Sequence, residues 1–174
     1  MTQIAQKFIE VLQNPEHAEN DFVLHTVAYG LGAFAYVLPK EAFAPILPRA
    51  VTLIKGITRR DEAFTPECME ATENAMGALA KIAYRHMDGT NVTEADLCGV
   101  FSFLPFKEDE CECQTTHRIF LDQIRDGASV VHSANIKPAA LEALNRIRAH
   151  VGSESSDANV KIMSFESKAL LAQI

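Results

Sequence analysis

Asp21-Phe22-Val23-Leu24-His25-Thr26-Val27-Ala28-Tyr29-Gly30-Leu31-Gly32-Ala33-Phe34-Ala35-Tyr36-Val37-Leu38 is the stretch that decides the fold. Its residues Val23, Val27, Gly30, Leu31 and Phe34 return at steps of three and four, and Ala28, Leu31 and Ala35 widen the same stripe. That period marks an α-helix with one buried face, whereas a half-buried strand alternates at every second residue.

The same period runs outward from this segment. Phe43, Leu47, Ala50, Val51, Ile54 and Ile57 mark a helix whose regular part begins near Pro48, since proline is tolerated only in a first turn. Thr65-Pro66-Glu67 reads as a cap followed by proline at the first helical position, opening a helix to about Met87. Its expected buried stripe is Cys68, Thr72, Ala75, Leu79, Ile82 and Ala83, with Glu67, Glu70, Asn74, Lys81 and Arg85 on the far side. Thr93 with Asp96 three residues on is a variant capping box and starts a short helix to Phe103, stopped by Pro105. A helix over 109–126 is expected to bury Cys113, Thr116, Ile119, Phe120, Gln123 and Ile124, with Gly127 as its C-terminal cap. Another over 136–151 places Ala140, Leu141, Leu144, Ile147 and Arg148 on one side. Pro15, Pro39, Pro66, Pro105 and Pro138 all fall at proposed helix ends, and nothing resembles βαβ alternation. The fold class is all-α.

The helix pairs repeat. Residues 22–38 pair with 48–57, 66–87 with 94–103, and 109–126 with 136–151. The centre Ala28-Tyr29-Gly30-Leu31-Gly32 lies about 47 positions before Ala75-Met76-Gly77-Ala78-Leu79, and the centre near Ile119-Phe120 follows about 42 later, offsets of the HEAT and armadillo class. Small residues at the centres, Gly30, Gly32 and Gly77, let a first helix approach both its partner and the next repeat. Glu73 and Asn74 sit where hydrogen bonds would anchor that packing. The architecture expected is a right-handed α-solenoid of about three HEAT/armadillo-type helix pairs plus flanking helices. Residues 1–152 form the repeat segment, with 2–13 as the second helix of a preceding repeat. Residues 153–174 form a polar connector and a further terminal helix. An array cut from a longer one would leave its ends, 2–12 and 161–174, mobile, self-associated or docked on whatever apolar face lies near. The bland alternative is a globular helical bundle.

Composition narrows the function. The 174 residues carry 48% hydrophobic and 22% charged side chains, as a folded domain does. A net charge of −7 and a pI near 5.3 speak against nucleic acid, which calls for a basic stripe. No run is long and apolar enough for a membrane span, residues 1–10 lack the pattern of a signal peptide, and four cysteines make no disulfide framework. No cofactor, nucleic-acid or membrane partner is therefore expected. Cytoplasm and nucleus are the expected compartments.

Three elements then carry a resemblance: Ala28-Tyr29-Gly30-Leu31-Gly32, Ala71-Thr72-Glu73-Asn74 before an alanine-rich helix, and Phe103-Leu104-Pro105-Phe106-Lys107-Glu108-Asp109. In this order and spacing they resemble the C-terminal HEAT repeats of the importin-β (karyopherin-β) nuclear transport receptors, closest to the importin-5 branch, over residues 14–151. The chain departs from that pattern in lacking tryptophan, which the family commonly has before the Leu-Pro element. The resemblance implies a nuclear import receptor segment that binds cargo proteins, basic ones among them, and nucleoporin Phe-Gly segments. Nothing in the chain corresponds to the N-terminal arch that binds the GTPase Ran, so Ran binding is not carried over.

Catalytic motifs are missing from the sequence. Cys111-Glu112-Cys113 is a close cysteine pair, but His117 has no companion to complete a zinc set, and Gly30-Leu31-Gly32 lacks the rest of a dinucleotide fingerprint. The partner-facing candidates are acidic: Glu108, Asp109, Glu110 and Glu112 together, and Glu94 with Asp96. Carboxylates grouped there would steer a basic partner, although acidic residues also suit helix starts for local reasons. The expected function is a protein-binding scaffold without catalytic residues. The alternatives are a HEAT or armadillo subunit of another complex, such as a phosphatase or assembly factor, and a small helical-bundle enzyme using Cys111 and Cys113.

Overall fold

A computed structural model describes residues 2–86, 92–154 and 161–174. Met87, where the third long helix was expected to end, and residues 155–159 of the expected connector lie outside them. Among the described residues every regular element is helical, and none of the helices is long and apolar enough to cross a membrane. The chain divides into two compact units, Met1–Val92 and Thr93–Ile174.

The first unit holds α1 (Thr2–Leu12), α2 (Pro15–Ala18), α3 (Asp21–Val37), α4 (Lys40–Phe43), α5 (Leu47–Thr58) and α6 (Met69–His86). Asn20 caps α3 by accepting the Val23 N–H, and Pro48 sits in the first turn of α5. The most extensive packing is α3 on α6, and the two helices run parallel. Asp21 at the start of α3 meets Cys68, 47 residues on, just before α6 begins. Ala35 near the end of α3 offers its carbonyl to His86 at the end of α6. In between, a Cβ added to Gly32 would lie 2.9 Å from both Cα and Cβ of Ala78, so this helix crossing requires glycine. Helices α1 and α5 also run parallel: Ile4 shares a depression with Ile46, and Gln13 shares one with Thr52.

The second unit holds α7 (Glu94–Phe103), α8 (Glu110–Arg125), α9 (Ser129–His132), α10 (Lys137–Ser153) and α11 (Phe165–Leu171). The Thr93/Asp96 capping box is present at α7, and Asp109 caps α8. Gly127 has φ 66°, and the Gly127 and Ala128 N–H groups donate back to the Ile124 and Gln123 carbonyls. That is a Schellman end for α8. Helices α7 and α10 run parallel: Glu94 accepts from Asn135, 41 residues on, and the Phe101 carbonyl accepts from Arg146, 45 residues on. The lead to α11 follows the direction of α8, through Gln114 with Lys161 and His117 with Ile162.

Several expected faces turn out otherwise. Residues 65–68 form a turn, the Cys68 N–H donating to the Thr65 carbonyl, and the helix starts at Met69. Helix α6 has no broad polar side: Asn74 and Lys81, expected outside, are buried together with Glu73. Both α3 and α5 pack on α6, so one stripe does not describe its interior. On α3 the inward positions include Leu24 and Gly32 rather than Val23 and Phe34. On α10, Ala140, Ala143, Leu144 and Ile147 are buried, while Leu141 and Arg148 are exposed. Ser153, expected in the connector, still belongs to α10. Both outlying segments are docked, α1 through Ala5, Ile9 and Leu12, and the tail through Ile162, Met163, Leu170 and Leu171.

Candidate functional site

A recess in the first unit follows from how α1 sits. Ala5, Ile9 and Leu12 are the buried stripe of α1, and their burial leaves Gln3, Ile4, Lys7 and Glu10 along the seam with α5. There they face Pro45 and Ile46, and enclose a groove of ≈ 690 Å³. Its floor is Ile46 and its wall the half-exposed Ile4. On its rim Lys7 Nζ donates to Glu10 Oε2 at 2.7 Å. That hydrogen bond holds the Glu10 carboxyl below its ordinary range and the Lys7 ammonium above its own. The described lining residues include no histidine, cysteine or hydroxyl side chain. An apolar floor with a charged rim suits capture of an apolar side chain from a partner segment.

The acidic residues fall into different roles. Asp96 is spent on its own helix start: its Oδ2 accepts the Thr93 N–H and hydroxyl at 2.7 Å each. Asp109 Oδ1 accepts the Glu112 N–H at 3.0 Å. Glu94 holds Asn135 at 2.6 Å, and Glu110 holds Gln114 at 2.9 Å, one turn along. Glu108 and Glu110 are exposed. Glu112 departs from the expectation altogether: it is 0% exposed and accepts the Thr116 hydroxyl at 2.6 Å. Three residues past the capping Asp109, it turns inward beside Cys113.

The residues expected to serve helix contacts are better placed. Gly32 lies against Ala78, and Gly30 against the Phe8 ring, where a Cβ would sit 2.5 Å from the ring edge. Gly77 and Glu73 are buried on α6, and Asn74 Nδ2 donates to the Glu70 carbonyl, one turn back. Lys81 lies over the Tyr29 ring at 5.4 Å. Cys113 is buried and Cys111 exposed, so the close pair in sequence is split between inside and outside.

Three polar groups organise the second unit, and of these the sequence singled out only His117, as a zinc ligand without companions. Arg146 donates to the Phe101, Ser102 and Leu104 carbonyls and so closes the end of α7. His117, fully buried, accepts the Phe106 N–H on Nε2 at 3.0 Å and donates from Nδ1 to the Ile162 carbonyl at 2.8 Å. Burial pushes its pKa down to about 4, against the pull of the Ile162 carbonyl. Glu154 takes the Ile162 N–H and Lys168 Nζ on its two oxygens. Burial opposes its charge, but Lys168 and the Ile162 N–H outweigh burial and hold the carboxyl below its ordinary range. The only sequence signal was the place of His117 one turn beyond Cys113 on the buried face.

No known protein-family profile matches the chain, and no solved structure matches it.

Proposed function

We propose that the chain is a protein-binding helical-repeat scaffold of the HEAT type, which acts by holding partner segments rather than by covalent chemistry. The observation that carries this reading is the parallel packing of helices at sequence offsets from 41 to 51 residues. Asn135 meets Glu94 at 41 residues, Arg146 meets Phe101 at 45, Cys68 meets Asp21 at 47 and His86 meets Ala35 at 51. Helices of the same rank in successive repeats stack in this way, each buried face completed by its neighbour. The groove between α1 and α5 is then an inter-repeat recess of the kind that takes an apolar anchor. Glu108 and Glu110 add a negative rim to the second unit, a fit for basic segments. Within this reading, the resemblance to the importin-β receptors makes basic cargo segments and Phe-Gly peptides the first ligands to try, and nuclear transport the process to examine.

The test is a calorimetric titration of the full chain with a Lys/Arg-rich peptide and with a Phe-Gly peptide. Ile4→Asp should weaken the second and Glu108→Lys/Glu110→Lys the first, each by about tenfold or more. Absence of binding by both peptides, or binding that ignores these substitutions, would overturn the assignment of the surfaces.

A further inference from the structure

Residues 161–174 lie along α8 as an irregular lead, 161–164, followed by α11. The lead is recognised through its main chain: Gln114 Nε2 donates to the Lys161 carbonyl at 3.1 Å, and His117 Nδ1 to the Ile162 carbonyl at 2.8 Å. The Ile162 N–H returns a bond to Glu154 Oε1 at 3.2 Å. Lys168 Nζ donates to Glu154 Oε2 at 2.6 Å, on a carboxylate whose side chain is 3% exposed. Ile162, Met163, Leu170 and Leu171 are buried, while Phe165 is 84% exposed.

Main-chain bonds for affinity, an enclosed charge for one side chain and apolar pockets for the others are how proteins recognise peptides. We infer that α8 and the end of α10 form a peptide seat, that residues 161–174 are its resident ligand, and that a segment of the same chemistry displaces them. The displacing segment carries an apolar pair, then a basic side chain for Glu154, then a leucine pair on one helical turn. The resident is poised to leave. Helix α11 has seven residues, far short of the ~12–15 at which an isolated helix begins to hold its own shape. Its structure is therefore lent by the seat, and such elements open at the low end of a protein's stability range. This inference does not depend on the repeat-scaffold reading.

Native-state hydrogen exchange on the full chain tests it. The Lys168 and Ala172 amides should open at least tenfold more often than the amides at the centre of α8. A labelled peptide of sequence 161–174 should bind the L170D/L171D chain and leave the unaltered chain empty, and the K168E peptide should bind that variant at least tenfold more weakly. Exchange of the tail only together with α8, or a folded L170D/L171D chain that ignores the peptide, would overturn the inference. If that variant does not fold, the exchange rates of the unaltered chain decide.

Discussion

Replacing His117 by leucine should flatten the acid side of the stability curve. In the folded chain Nε2 of His117 accepts the Phe106 N–H, and Nδ1 donates to the Ile162 carbonyl. An added proton would set one N–H against another, and it would charge a ring with no access to solvent. Burial chiefly, with the nearby His150 charge, lowers the pKa from 6.5 to about 4, despite the Ile162 carbonyl. Between those values the unfolded chain binds a proton that the folded chain refuses. Stability therefore rises with pH across this window, is fully present above about 6.5, and is lost as pH falls toward 4. A separation of about 2.5 units at 1.36 kcal/mol per unit gives about 3 kcal/mol. Urea unfolding between pH 7.5 and 4, followed at the Phe106 and Ile162 amides, measures it. The unaltered chain should lose about 3 kcal/mol more than H117L over the window, at up to ~1.4 kcal/mol per pH unit. H117L itself starts lower at neutral pH, because two buried main-chain groups lose their partner. H117Q, which can both accept and donate, should share the flat acid limb. Parallel curves for all three proteins, or a His117 ring that titrates near 6.5 in the folded chain, would refute the reasoning.

Other substitutions test the packing. Gly32→Val should cost about 1–3 kcal/mol in chemical denaturation, since the new side chain meets the Ala78 backbone, which cannot step aside without parting α3 from α6. Gly99→Ala is the opposite case: nothing lies within 4 Å of the added Cβ, and stability should rise by about 0.5–1 kcal/mol. Arg146→Ala removes three bonds to the end of α7 and should cost about 2 kcal/mol, with faster amide exchange at Leu104 as a local readout. Thr93→Ala breaks the capping box and should cost about 1 kcal/mol by thermal melting, with fraying confined to the first turn of α7.

What could be read in sequence was whatever a few neighbouring residues settle between themselves. Thr93 with Asp96, Asp109 before α8 and Gly127 after it satisfy or end a helix within one turn, so those boundaries were visible. The spacing of small residues was visible too, because Gly32 must meet Ala78 closely wherever the rest of the chain goes. The acidic candidates were legible in part: the helix-start roles of Asp96 and Asp109 follow from their near neighbours, whereas Glu112, which reads as surface, turns inward.

The rest was decided by neighbours far away in sequence. A 3.6-residue period marks the direction of one buried face, but the number of helices that cover an element is a property of the packed chain. Hence α6, flanked by α3 and α5, encloses Glu73, Asn74 and Lys81, while Leu141 on α10 is left outside. His117 shows the limit most plainly. Its place on a buried face was legible from Cys113 one turn before it, but its neutral ring owes its role to the Phe106 N–H and to an Ile162 carbonyl 45 residues on. The sequence by itself determined the long helices and those ends that a local cap sets; only the tertiary structure decided which polar groups went inside, because each needs a partner that the fold must first bring to it.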